Sequence, residues 1–381
     1  MNSLLLLPRG PLHENLFRES LIRARSSGTS VTPFSRRTQP RPILLPITMS
    51  SKYAAAHSAT EGPGDARPTA AQIIRDENLV SSLSDKTFLI TGCSSGIGIE
   101  TARALASTGA RLYLGVRDEA KGEKALHDIL KPGHIELLKM DLNSLESMRS
   151  AAKVFLAKSK QLNVLICNAG IMAVPTKTTT ADGFEAQFGT NHLAHFLLFQ
   201  LLKPMLLESH TAKFHSRVVT VSSSGHRSSA PIIGDYGFEK TEYTPWKAYG
   251  QAKTANIWMA NEIERRFGGR GLHGLSLHPG GIFTGLQKYV DEGTMASWKS
   301  DVVQKHMKSP EQGAATTVWA AVGQELEGKG GIYLEDCQVS KPTRPNNTPL
   351  DPGYKPHAYD EAGEKQLWVD SCRMVGESDI D

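Results

Sequence analysis

Cysteine is scarce in this chain of 381 residues: Cys93, Cys167, Cys337 and Cys372 are the four present, far apart and with no Cys-x-x-Cys pair. That excludes a disulfide scaffold or a zinc site and fits a reducing compartment. No metal-binding cluster is visible either. Long apolar runs are also missing, since the opening LLLL falls well short of the roughly 18 residues that span a bilayer. No integral membrane segment is expected. Charge of one sign is nearly absent from the body of the chain. The formal net charge is +4, yet residues 1–48 hold seven arginines, no lysine and two glutamates, and beyond them 36 basic side chains face 37 acidic ones. A near-neutral body offers no electrostatic footprint for nucleic acid.

What is present reads as an ordinary globular protein, 39% hydrophobic and 22% charged. Residues 1–48, Arg-rich and poor in acids, read either as a disordered or upstream leader, with translation starting at Met49, or as a mitochondrial transit peptide. The weak amphipathicity of LHENLFRESLIRARS and the prolines at 33, 40, 42 and 46 favour the first reading. A cytoplasmic location is then expected, and a mitochondrial one on the second reading. Residues 49–84 form a lead-in, 85–335 carry the fold, and 336–381, with the Pro-rich KPTRPNNTPLDPGYKP, read as an irregular surface tail.

From residue 85 onward, short apolar runs alternate with amphipathic stretches. Strands are expected at 87–91, 111–116, 135–139, 163–167, 217–222, 272–277 and 331–334. Helical patterns lie at 97–108, 119–130, 144–158, 184–207, 247–267 and 310–323. Nearly continuous apolar strands alternating with helices imply an α/β fold, a Rossmann-type doubly wound sheet of about seven parallel strands covered by helices on both faces in one domain.

The segment Thr91-Gly92-Cys93-Ser94-Ser95-Gly96-Ile97-Gly98 follows the first strand and opens the first helix. Glycines there let backbone amides approach a pyrophosphate, and the helix N-terminus favours its charge. Arg117, at the end of the second strand, suits the 2′-phosphate of NADP, where an acidic residue would bind the ribose of NAD. Lys121 adds positive charge, while the neighbouring Asp118 leaves NAD open. Asp141, in Met140-Asp141-Leu142, can accept from the adenine amino group or cap the following helix. Asn168, Ala169 and Gly170, at the tip of the fourth strand, read as a wall beside the adenine ribose or as a plain turn.

These motifs, in this order, resemble the short-chain dehydrogenase/reductase family, in particular its retinol dehydrogenase and WW-domain oxidoreductase branch. The resemblance covers about residues 85–337 and includes TGCSSGIG, MDL, CNAG, GTNHLAHF, VVTVSSSGH, YGQAK, HPGGIFT, KSPEQGAATTVWAA and GGIYLEDC; the leading YAAAHSATEGPGDARPTA is most similar to fungal members. It implies a catalytic tetrad: Asn191 supporting a water in a proton relay, Ser223 (or Ser222) bonding the substrate oxygen, and a Tyr/Lys pair. It also implies that Pro279, Gly280, Ile282 and Thr284 cover the nicotinamide, and that His278 is structural.

Three Tyr-x-x-x-Lys pairs compete for the catalytic role. Tyr236 has the spacing from Ser223 that is common in the family, but the residues after it have no helical period. Tyr243 is separated from Lys247 by Pro245, which disfavours a shared helical turn. Tyr249 opens a long helical pattern that puts Lys253 on the same face, so these two are assigned as the catalytic pair. The implied chemistry is NADP(H)-dependent interconversion of a carbonyl and an alcohol, with Lys253 lowering the phenol's pKa and holding the nicotinamide ribose. The segments 225–247 and 285–309, with Tyr289, Met295, Trp298 and Met307, are compatible with a lipophilic polyketide, terpenoid, steroid or retinoid, as in secondary metabolism. A non-catalytic NADP sensor or interaction protein on the same fold is the alternative. Family members dimerise through the tyrosine and asparagine helices. The long insert before Tyr249 is expected to cover that face with Ile232, Ile233, Phe238 and Trp246, favouring a monomer; a homodimer follows if the insert points to the substrate cleft instead.

Overall fold

The structure, a computed structural model, describes residues 52–380, so both readings of the leader concern residues outside the described ones. In chain order α1 (Ala70–Asp76) precedes β1 (Thr87–Thr91), α2 (Ile97–Ala106), β2 (Arg111–Val116), α3 (Glu119–Leu126), β3 (Ile135–Lys139), α4 (Leu145–Lys158) and β4 (Val164–Cys167). Next come α5 (Ala186–Phe188), a π-helical turn (Gly189–Leu193), α6 (Ala194–Ser209), β5 (Ser216–Val221), α7 (Pro245–Phe267) and β6 (Leu272–His278). The chain then forms α8 (Glu292–Trp298), α9 (Asp301–His306), α10 (Pro310–Gly313), α11 (Ala315–Val322), β7 (Ile332–Glu335), β8 (Gln338–Val339) and α12 (Glu361–Val375).

The strands make one sheet in the order β3-β2-β1-β4-β5-β6-β7-β8. Seven are parallel, and the two-residue β8 runs antiparallel to β7. The order reverses between β1 and β4, which opens a crevice at the carboxyl ends of the strands, where such sheets bind ligands. Every residue of β1, β4 and β5 is buried, which explains their unbroken apolar runs. Successive side chains alternate between faces. Phe88 and Ile90 join a core with Ile73, Leu105 and Trp319, and Leu89 joins Phe155, Phe196, Phe199 and Trp258 on the other side.

The tail requires a correction. Its prolines end at Pro356, and a 15-residue helix, α12, follows, capped by the Asp360 side chain on Gly363 N. Leu367, Trp368, Cys372 and Val375 recur at helical spacing and are buried in the second core. The Trp368 ring sits edge-on to Phe196 at 5.0 Å and to Phe199 at 5.8 Å. The insert before α7 also differs from expectation. Ile233 is exposed, Phe238 is buried, and Trp246 turns toward the cleft. It is α12 that packs on α7 and α6, while Tyr236 of the insert donates to Asp370 of α12 at 2.8 Å. Trp368→Ala should therefore destabilise the fold by about 3–5 kcal/mol, the usual cost of emptying a buried tryptophan site. Denaturant unfolding checks this, and a loss below about 1 kcal/mol would show α12 to be loosely attached.

Candidate functional site

A cleft of about 2110 Å³ lies at the carboxyl ends of the strands and takes in the Gly92–Gly98 loop, Asp141, Leu142, Asn168–Met172, Ser223, Tyr249, Lys253 and the segment after β6. At its base the Gly92–Gly98 loop is shaped by close backbone approach. A Cβ on Gly98 would stand 2.2 Å from the Gly92 carbonyl oxygen, and one on Gly92 would stand 2.8 Å from Ala169 Cα. Gly96 has φ +60°, and a Cβ there would press on Thr284 at 3.3 Å. The loop thus leaves its backbone uncovered at the start of α2, a fit for a pyrophosphate.

Thr91 fastens this loop to the rest of the site. Its Oγ1 accepts from Asn168 N at 2.9 Å and Ala169 N at 3.0 Å, and pairs with His195 Nε2 at 2.8 Å. Asn168 donates through Nδ2 to Thr91 O at 2.8 Å, while its Oδ1 is buried without a partner. Such an orphaned acceptor is costly unless a bound group completes it. Arg117 and Lys121 are exposed at the far end of the cleft. Asp118 is engaged in capping α3 through Lys121 N at 3.0 Å. Asp141 is not the cap of α4, because Ser144 takes that place; its Oδ1 accepts from Asn143 N.

The three tyrosines separate clearly. Tyr236 stacks on Phe188 at 5.0 Å, outside the cleft, and Tyr243 donates to Val174 O at 2.7 Å. Pro245 at the first position of α7, with Thr244 as its cap, starts the helix just in time for Tyr249 and Lys253 to share a face. Both line the cleft, with the Lys253 ammonium 5.6 Å from the Tyr249 ring centre. Ser223 lies beside the Tyr249 phenol and favours its ionised form. Ser222 Oγ instead donates to Lys253 O at 2.7 Å and is buried. Gly225 makes room for this pairing, because a Cβ there would stand 2.7 Å from the Tyr249 ring.

Burial dominates the titration of these groups. It pushes Tyr249 up to about 12, only partly offset by the nearby Ser223, and pushes Lys253 down to about 8. The expected lowering of the phenol by Lys253 is not seen: burial raises it, and Ser223 is the neighbour that lowers it. His278 is pushed down to about 3 by burial and accepts from Ser224 N at 3.2 Å. Asn191 sits in the π-helical turn, completely buried, accepting from Ile171 N at 2.8 Å and donating to Ile171 O at 2.9 Å. Its own carbonyl pairs with His195 Nδ1 at 2.9 Å. Among the described residues no group of side chains could hold a metal ion.

The cleft is apolar near the phenol: Met172, Ala173, Trp246, Leu286, Val290 and Trp298 form one cluster with Tyr249. Trp246 meets Trp298 at 5.9 Å. Met307 lines the cleft as well, whereas Tyr289 and Met295 do not. Two wall segments had no sequence signal: His57, Ser58, Thr60 and Arg67 from the lead-in, and the tail loop 343–356. The loop is tied down by Arg227, which donates to Gly353 O at 2.9 Å.

The short chain dehydrogenase family profile matches residues 86–294. The chain belongs to the short-chain dehydrogenase/reductase family. It is 56% identical over 334 residues to Short-chain dehydrogenase/reductase prx1 of Penicillium roqueforti, covering 87% of this chain and 97% of that one. It is 37% identical to human Retinol dehydrogenase 11, over 77% of this chain and 87% of the relative. A crystal structure of an uncharacterized protein from Mycobacterium paratuberculosis superposes with a TM-score of 0.61 at 32% identity, covering 82% of this chain and 98% of that one. The protein is therefore an oxidoreductase of a family that binds a nicotinamide cofactor, on a Rossmann-like sheet. No helix among the described residues is long and apolar enough to cross a membrane.

The closeness of Gly98 to Gly92 gives a direct test of the cradle. Gly98→Ala should weaken NADPH binding by roughly ten- to a hundredfold, the scale of overpacking a tight site. Nucleotide fluorescence reports it, and unchanged affinity in a folded variant would place the dinucleotide elsewhere.

Proposed function

We propose that this chain interconverts a carbonyl and an alcohol on a lipophilic substrate, with NADP(H) as cofactor and Tyr249 as proton donor and acceptor. The observation that carries the reading is the buried Tyr249 phenol beside Ser223, with Lys253 one turn along, in the same cleft as the Gly92–Gly98 loop. The dinucleotide, when bound, supplies or accepts the hydride. Its pyrophosphate would rest on Ser94, Ser95, Gly96, Ile97 and Gly98, its adenine ribose beside Asn168–Gly170, and its adenine near Asp141 and Leu142. Pro279, Gly280, Ile282 and Thr284 would hold the nicotinamide end.

In reduction, Tyr249 gives its proton to the carbonyl oxygen while the Ser223 hydroxyl bonds the charge developing there. Lys253, held at 3.0 Å from Val221 O, steadies the ribose hydroxyls and the phenolate left behind. Asn191 acts by holding Ile171 in place, and its support of a water is carried over from the family. In oxidation the same groups run in reverse.

Arg117 favours NADP because Asp118 is committed to the α3 cap and leaves the exposed guanidinium to meet a 2′-phosphate. The apolar wall of Met172, Trp246, Leu286 and Trp298 favours a polyketide, terpenoid, steroid or retinoid body. Coverage of the α6–α7 face by α12 favours a monomer, by occupying the surface through which relatives pair. A cytoplasmic location fits four buried free cysteines, with the mitochondrial alternative resting on residues 1–48.

Tyr249→Phe should cut turnover by about 10²–10⁴-fold, as loss of a general acid does, with NADPH binding retained. Tyr236→Phe should leave turnover nearly intact. The reverse ranking would refute the assignment. Arg117→Ala should weaken NADPH binding by roughly ten- to a hundredfold, the worth of one charge-assisted bond, and leave NADH binding alone. Equal losses for both would make Arg117 a structural residue. Because Lys253 sits at about 8 and Tyr249 at about 12, carbonyl reduction should be level below pH 8 and fall above it as the ammonium loses its proton. Alcohol oxidation needs the ionised phenol and should rise with pH. Lys253→Arg should move the fall in reduction to higher pH in a rate-against-pH profile, and an unmoved profile would contradict the role given to Lys253.

A further inference from the structure

A cluster of charge with buried Lys308 at its centre lines another part of the cleft wall. Asp336 and Cys337 form the two-residue connection between β7 and β8, where Glu335 pairs with Gln338. Their φ values are +53° and +51°, the left-handed backbone of a tight hairpin turn that usually recruits glycine or asparagine. Strain of this kind persists only where the surroundings impose it. Here Cys337 N donates to Thr316 Oγ1 at 3.1 Å, and the Asp336 carboxylate is gripped from two sides. Lys308 Nζ donates to its Oδ1 at 2.7 Å, and His57 Nδ1 lies 3.3 Å from the same oxygen.

Lys308 is buried and connects this carboxylate to the segment after β6. Its ammonium also reaches Pro279 O at 3.3 Å, its backbone N donates to Gly281 O at 2.8 Å, and its side chain fills the space beneath Gly280. His57 belongs to a strap of the lead-in that is fastened to the same region. Buried Arg67 donates to Met307 O at 2.5 Å and His306 O at 2.9 Å, and is oriented by Asp65 at 2.8 Å. Gln312 Nε2 donates back to Arg67 O at 3.1 Å. Four separate segments therefore converge under the Pro279–Gly280 turn.

We propose that Asp336 is a positioning residue: with Lys308 and His57 it fixes the Pro279–Gly280 turn against which the nicotinamide end of the cofactor is held. The strap that carries His57 thereby becomes a working part of the enzyme. The inference rests on the cofactor placement proposed above. The physical reason is that a buried ammonium needs a counter-charge within reach, and the part-exposed Asp336 supplies it. With Asp336 neutralised, Lys308 turns toward the open cleft, and the Pro279 carbonyl loses its donor.

Asp336→Asn tests this in the full chain, since asparagine tolerates the left-handed backbone and keeps the side chain's shape while removing its charge. NADPH affinity should fall by roughly tenfold or more, the scale of a lost bond to a charged group. Turnover should fall as well, with KM for the carbonyl nearly unchanged. Lys308→Met should match it, Lys308→Arg should recover part of the loss, and His57→Leu should give a smaller loss in the same direction. A folded Asp336→Asn chain with unaltered NADPH affinity and turnover would overturn the proposal, even if its unfolding midpoint drops. Should that variant fail to fold, Lys308→Met decides in the same way. Wild-type chain that binds no NADPH at all would sink the cofactor placement and this inference together; wild-type binding that is insensitive to these substitutions sinks the inference alone.

Discussion

A single hydroxyl, Thr91 Oγ1, joins the two halves of the site. It is fully buried at the end of β1, receives the backbone amides at the tip of β4, and pairs with His195 of α6. His195 passes the connection to the Asn191 carbonyl, and the Asn191 side chain holds both backbone groups of Ile171. Gly170 then lies close to Lys253, since a Cβ on it would stand 3.4 Å from the ammonium. Hydrogen bonds therefore run from the glycine loop to Ile171, and the tyrosine helix is reached by close packing at Gly170, in a dry interior where each such bond is stronger and each loss dearer than in water.

That dryness also fixes the electrostatics. Tyr249, Lys253, His195 and His278 are all pushed toward their neutral forms by burial. Charged side chains line the cleft as well. Arg117 and Lys121 stand at one end, and the Lys308–Asp336 pair stands beneath the segment after β6. The C-terminal part of the chain contributes to both the packing and the cleft wall: α12 packs on α6 and α7, and the loop before it lines the cleft.

The sheet was legible because its central strands are buried on both faces and so read as uninterrupted apolar runs. The placement of Tyr249 and Lys253 on one helix face was legible because Pro245 fixes where that helix begins, so that Tyr243 falls outside it. The rest escaped for particular reasons. A π-helical turn differs from α-helix by one residue and leaves the apolar pattern of 184–207 intact. In α12 the pattern of Leu367, Trp368, Cys372 and Val375 was masked by the prolines that precede it, although Asp360 and the residues after it make a serviceable helix start. The strap around His57 and Arg67 is built from carbonyl contacts between segments some 240 residues apart, for which no local periodicity exists. Asp336 and Cys337 lack the glycine or asparagine that would advertise a tight hairpin.

The account stands on the path from Thr91 to Asn191, and a double-mutant cycle on NADPH affinity measures it. Thr91→Val removes the hydroxyl at constant shape, and Asn191→Ala removes the grip on Ile171. If the two act through one connected network, their combined loss should fall short of the sum of the single losses by about 0.5–3 kcal/mol, as for coupled neighbours. Strict additivity would contradict the account and leave the glycine loop and the tetrad as independently built parts.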